Sequence, residues 1–262
     1  MDTVSLASMA GVDLFGMLAT VLWYALRIGA ALQVLPVIGG RGIPVRARLI
    51  TTLALSAALS TVLPAPPPMG VDAATALGVL REFTVGIAIG MMLRLAFEAG
   101  RLAGELVSQG MGLSFATMAD PLSGASSAVL SQWFYIAFAL LFFTVDGHLA
   151  LVGVLADSYG GLPIGAALPD VDALLEAVPA FFGACLRAGT LLALPVMMAL
   201  LAVNIAFGVL ARAAAQLNPI AIGLPVSLLV GLALLMLLMQ QLQSPVDRLF
   251  GDAFTAARAL TG

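Results

Sequence analysis

"SQGMGLSFATMADP", residues 108–121, decides how the rest of the chain is read. It lies between two strongly hydrophobic parts of the sequence. It carries no charge before Asp120, holds two glycines, two methionines and one phenylalanine, and stops at Pro121. A connector to water is polar, and a spanning helix is not this rich in glycine and serine. The stretch reads as a flexible apolar loop. Gly110 and Gly112 give backbone freedom, and Met111, Leu113, Phe115 and Met118 offer bulky apolar side chains, two of them adaptable thioethers.

The flanks explain why such a loop is tolerated. Of 262 residues, 61% are hydrophobic and only 10% charged, against about a quarter charged in a soluble domain. Lipid or partner subunits must therefore cover the surface. Apolar runs near 12–38, 47–64, 76–97, 128–156, 174–203 and 221–243 each approach or exceed the roughly 18–20 residues that cross a hydrocarbon core. Backbone groups in lipid bond internally and no alternating strand pattern is present, so the expected fold is all-α, of the integral membrane type. With no long repeat and no low-complexity tail, residues 1–262 read as one domain.

Charge excludes some functions. The net charge is −3 with pI near 5.0, which argues against nucleic-acid binding. All eleven basic residues are Arg, which a GC-rich genome explains. Cys185 is the single cysteine, so no disulfide within the chain is possible. Asp2 stands where a basic n-region belongs, and Arg27 lies inside the first run; insertion through that run is expected. Arg41, Arg46 and Arg48 place their loop in the cytoplasm. "LPAPPPMG", 63–70, and the acidic segment 157–176 read as outside. Six simple spans would put both termini outside, yet Arg248 and Arg258 lie near the C-terminus beside Asp247 and Asp252. Broken hairpins in place of simple spans would remove the conflict.

Three constellations stand out. Arg94, Glu98, Arg101 and Glu105 step by four, three and four, which places alternating charges on one helical face. Continued, the stripe reaches Ser108 and Gly112. The face is either solvated or a polar seam against other subunits or along a conduit. Gly86 and Gly90, then Gly100 and Gly104, permit close helix approach. In "RAAAQLNPIAIGLP", 212–225, Asn218, Pro219, Gly223 and Pro225 mark a helix break, either an ordinary turn or a broken helix docked in protein. Enzyme signatures are weak: His148, with Asp146 nearby, is the only histidine, no Gly-x-Ser-x-Gly elbow accompanies it, and no phosphate-binding glycine loop exists. A hydrolase using His148 ranks last among the readings, and no metal or cofactor is expected.

"AGELVSQGMGLSFATMADP", 103–121, and "LLFFTVDGHLALVGVLADSYGGLPIG", 140–165, closely resemble the FliR family of type III export-gate subunits. "LPVIGGRGIPVRARL", 35–49, and "ARAAAQLNPIAIGLPVSLLVGL", 211–232, resemble its early and late segments, so the likeness runs in order over nearly the whole chain. The Gly-Leu-Ser-Phe-Ala-Thr run, 112–117, looks more like the flagellar than the virulence branch. The resemblance implies a non-enzymatic subunit present once per complex, assembled with FliP and FliQ into a helical gate around which FlhB wraps. Its location would be the bacterial inner membrane, in the flagellar basal body, and its cargo unfolded export substrates. It implies broken helical hairpins, a FliP-like part over about 1–205 and a FliQ-like part over 206–262. It also implies that the opening loop, with Met111, Phe115 and Met118, helps to plug the closed pore. Related proteins often carry a second aromatic where this chain has Met118. The alternatives are a virulence-system subunit of the same family and a small-solute secondary transporter with its site at 216–225.

Overall fold

The computed structural model describes residues 14–40, 42–68, 70, 72–113, 129–165, 171–213 and 219–261. Among these residues every regular element is a helix, as the hydropathy predicts: α1 Leu14–Val34, α2 Pro36–Gly39, α3 Val45–Ser60, α4 Ala73–Gly110, α5 Val129–Thr144, α6 Gly147–Gly161, α7 Val171–Ala213, α8 Pro219–Met239 and α9 Gln243–Ala259. Four of them, α1, α4, α7 and α8, are long and apolar enough to cross a membrane, and α5 with α6 makes a fifth if the bent pair counts as one span. The chain is an all-α protein of the membrane type.

Several boundaries differ from the hydropathy reading, each for a local reason. The run 47–64 yields only the 16-residue α3, which begins after Pro44 and ends before the proline-rich stretch at 64–68. The run 128–156 is not one span: α5 and α6 meet at 69°. Asp146 turns the corner with φ 55°, a left-handed backbone that Asp tolerates better than most residues. Gly147 follows because a Cβ there would lie 2.5 Å from the Phe142 ring. Arg248 and Arg258 belong to no loose tail; they sit on α9, whose other face buries Val246, Leu249, Phe250, Ala253 and Phe254. They are therefore poor topology markers.

Two compact units share the chain. The first comprises 1–94, 148–179 and 253–262. Here the glycine pair works as its spacing suggests. A Cβ on Gly86 would come within 2.3 Å of the Arg27 carbonyl, and one on Gly90 within 2.6 Å of that of Ala31, so α4 lies directly on the α1 backbone. The proline segment is strapped to α1 by two aromatic donors: Trp23 Nε1 donates to the Pro67 carbonyl (3.1 Å) and Tyr24 Oη to that of Pro64 (2.6 Å). α4 opens on an N-cap, with Asp72 Oδ1 accepting from the Thr75 amide at 2.8 Å.

The second unit comprises 95–147 and 180–252. Its centre is aromatic. Phe250 meets Phe97 at 5.0 Å, Phe142 at 5.1 Å and Phe138 at 6.2 Å between ring centroids, edge-on or tilted. Gly100 receives the Phe138 ring, and Gly104 lies against the backbone at Leu130 and Ser131, so the second glycine pair brings α4 onto α5.

Candidate functional site

The end of α4 hands the chain to the apolar loop, and its geometry is fixed by hydrogen bonds. The Leu113 amide donates to the Ser108 carbonyl (3.1 Å) and the Gly112 amide to that of Gln109 (3.0 Å), with Gly112 at φ 77°. This is a Schellman stop, in which a glycine takes the left-handed position that L side chains avoid. The two loop glycines thus differ. Gly112 supplies the conformational freedom expected of it. Gly110 is the last helical residue, and a Cβ there would stand 3.2 Å from Leu200 Cδ1.

Met111 does not stand free. It is 2% exposed and fills a notch in α8 at Gly231, where a Cβ would lie 2.6–2.7 Å from its Cγ, Sδ and Cε. Beside it, Asn204 of α7 reaches the Gly110 carbonyl with Nδ2 (3.5 Å) and accepts from Ser227 Oγ of α8 (2.9 Å). Together with Phe207 and Leu224 these residues border an open groove of ≈ 440 Å³ at the loop root. Leu113 is half-buried; Phe115 and Met118 lie outside the described residues.

The charged face is partly assembled. Arg94 is exposed and belongs to the first unit, whereas Glu98, Arg101 and Glu105 belong to the second and are half-buried. Arg101 Nη1 lies 3.8 Å from Glu98 Oε1 and its guanidinium 4.5 Å from the Tyr135 ring centroid. Glu105 accepts from Ser131 Oγ of α5 at 3.1 Å and from Gln109 Nε2 at 3.3 Å. With Leu102 and Gln132 these side chains line a shallow cleft. Half-exposed pairs of this kind contribute about 0–1 kcal/mol each. The continuation of the stripe, Ser108, is buried, so the polar face closes as it nears the loop root.

The expected helix break ends earlier than its residues suggested. α8 starts at Pro219 and continues through Gly223 and Pro225. Pro219 occupies the first helical position, where its missing amide donor costs nothing. Pro225 removes one donor from the second turn without ending the helix. Asn218 lies outside the described residues.

The strongest polar constellation is one the sequence reading passed over. Arg27, Glu82 and Ser158, all in the first unit, are fully buried. Arg27 donates from Nε to Glu82 Oε2 (2.8 Å) and from Nη2 to Oε1 (2.9 Å). Nη1 donates to the Ser158 carbonyl and Oγ (both 2.9 Å), and Nη2 also to the Leu162 carbonyl (2.8 Å). All five guanidinium protons are used. The Tyr159 ring lies 4.0 Å below the guanidinium carbon, and the neighbouring Arg81 donates to the Pro163 carbonyl at 2.8 Å. One signal could have found the pair: an Arg in one apolar run and a Glu in another, each costly in a membrane segment unless paired. Nothing in the sequence pointed to Ser158 or to the two carbonyls.

Compared with known proteins, residues 18–253 match the family model described as "Bacterial export proteins, family 1". The chain is 36% identical over 233 residues to flagellar biosynthetic protein FliR of Escherichia coli K12, covering 88% of each. It is 33% identical over 242 residues to FliR of Pectobacterium carotovorum, covering 92% of each. To FliR of Bacillus subtilis it is 26% identical over 237 residues, covering 90% of this chain and 92% of the relative.

Proposed function

We propose a function from one premise: the chain belongs to the bacterial export proteins, family 1, and is a FliR-type subunit of the flagellar type III export apparatus. Within that apparatus it acts as a non-enzymatic core subunit. It joins FliP and FliQ in the inner membrane, with FlhB at the base, to form the channel for unfolded flagellar substrates. About 1–205 is its FliP-like part and 206–262 its FliQ-like part. The loop that begins at Gly110, with Met111, Phe115 and Met118, plugs the closed pore, because an apolar constriction sheds water and ions. It also repacks around a passing chain of any sequence, as thioethers adapt to varied surfaces.

The observation that supports this best is uncovered apolar surface on α7. Leu191, Leu194, Met198, Leu201 and Ile205 step by three and four along one face, and each is 44–59% exposed. α7 has 43 residues, about 65 Å of helix at 1.5 Å per residue, against a hydrocarbon core of about 30 Å. Lipid from a single crossing covers less than half of such a helix. Neighbouring subunits cover the rest, and an a/d-like stripe is the face helices present to one another.

The test is to tag the C-terminus, co-express the chain with its genomic neighbours, extract in mild detergent and weigh the assembly by native mass spectrometry. One copy bound to several FliP-like and FliQ-like subunits is the expected result. A stable partner-free monomer or homodimer that binds a small solute would overturn the reading.

A further inference from the structure

We propose that Met111 is a positioning residue: seated in the Gly231 notch, it fixes the root of the loop and does not itself form the seal. The inference rests on the plug reading above and alters it at one residue, taking Met111 out of the seal and making it the support.

Three observations from one unit converge. Met111 is buried among its own chain, against α8, where a sealing side chain would be available to the pore. Gly231 is matched to it. Any side chain there would overlap three successive atoms of Met111, so the notch exists only because the residue is glycine. Finally, the backbone on either side of Met111 is held. Gly110 is reached by Asn204, which Ser227 orients, and Gly112 sits in the helix-stopping turn. A side chain in a fitted notch, between two restrained peptides, has the geometry of an anchor. A flexible thioether suits the task because it adapts to the shape of the slot, and leucine of similar volume can replace it.

The seat should transmit to the seal. With the root held, the residues beyond Leu113 start from one place and direction. With the notch filled or vacated they do not, and the closed pore leaks. The direct test uses the assembled complex. In a Cys185→Ala background, Met111→Cys and Gly231→Cys should oxidise to a disulfide, while either single variant should not. Small-solute leak is then measured for Gly231→Leu, Met111→Ala, Met111→Leu and the pair Gly231→Leu/Met111→Ala, with deletion of 110–118 as reference. Gly231→Leu and Met111→Ala should leak toward the level of the deletion, and Met111→Leu should stay tight. The double variant should regain tightness, since the leucine then occupies the vacated slot. A double variant as leaky as Met111→Ala alone, or absence of the disulfide, would overturn the anchor role while leaving the plug intact. A deletion complex that assembles and stays tight would overturn both. An unassembled Gly231→Leu complex leaves the disulfide and the two Met111 variants to decide.

Discussion

Arg27 is the residue on which the first unit depends most. Its guanidinium and the Glu82 carboxylate are out of solvent, and removing Arg27 strips the buried carboxylate of its two-pronged partner. Arg27→Met is expected to cost about 3–5 kcal/mol. Arg101→Met, which breaks a half-exposed pair, should cost no more than about 1 kcal/mol. Arg27→Met/Glu82→Leu should recover only part of the first loss, since the buried Arg81 beside the pair then loses the Glu82 charge. Thermal unfolding of the three variants in one detergent checks the order, and equal losses for Arg27→Met and Arg101→Met would contradict it. The node shows where the sequence ceases to be legible. Arg27 and Glu82 are visible as charges in apolar runs, but Ser158, 131 positions away, is an ordinary serine until the chain is folded. Met111 is similar: its apolar character is plain, yet burial depends on one glycine in a distant helix. Phe115 and Met118 lie outside the described residues, and their part in the plug belongs to the proposal.

At the scale of elements, ends and corners carry the information. Apolar runs foretell that α1, α4, α7 and α8 exist; caps and prolines decide where they stop. Asp72 begins α4, and its hydrogen bonds from the Thr75 side chain and amide hold its carboxyl below the ordinary carboxylate range. A folded-state value below the unfolded one means that the cap contributes above the unfolded pKa and is lost as pH falls through the folded value. Amide protection at Thr75, measured as exchange relative to the unstructured rate at the same pH, should therefore fall below about pH 4 and be low at all pH in Asp72→Ala. At the other end of α4, Gly112→Ala forces an L residue into the left-handed region and should destabilise by about 1 kcal/mol or more. The corner between α5 and α6 behaves likewise. Asp146→Gly should be tolerated, whereas Asp146→Val should cost about 1–2 kcal/mol, readable in the same unfolding assay. The corner was not legible because "FFTVDGHLALVG" is apolar on both sides of a single Asp-Gly. Hydropathy measures length in lipid and carries no direction.

At the scale of the molecule, composition alone dictates that something other than water must cover the surface. It does not say what. The exposed stripe on α7 and the length of that helix favour protein over lipid. Deleting 110–118 should make cells that overproduce the complex leaky to small solutes, and unchanged permeability in a correctly assembled complex would remove the sealing role. Exposed leucines replaced by glutamate at Leu194 and Leu201 should block assembly without unfolding the subunit, which co-purification and circular dichroism separate.

The Arg27 node also has a consequence in time. Its donors are satisfied by residues 55, 131 and 135 positions later in the chain. At a synthesis rate of about 5–20 residues per second, roughly 7–25 seconds separate the emergence of Arg27 from that of Ser158. During that interval Glu82 arrives first, and the pair waits half-built. The first apolar helix therefore cannot settle into its final place when it leaves the ribosome. Its Arg27 guanidinium stays in a wet or protein-lined environment until Ser158 and Leu162 have followed.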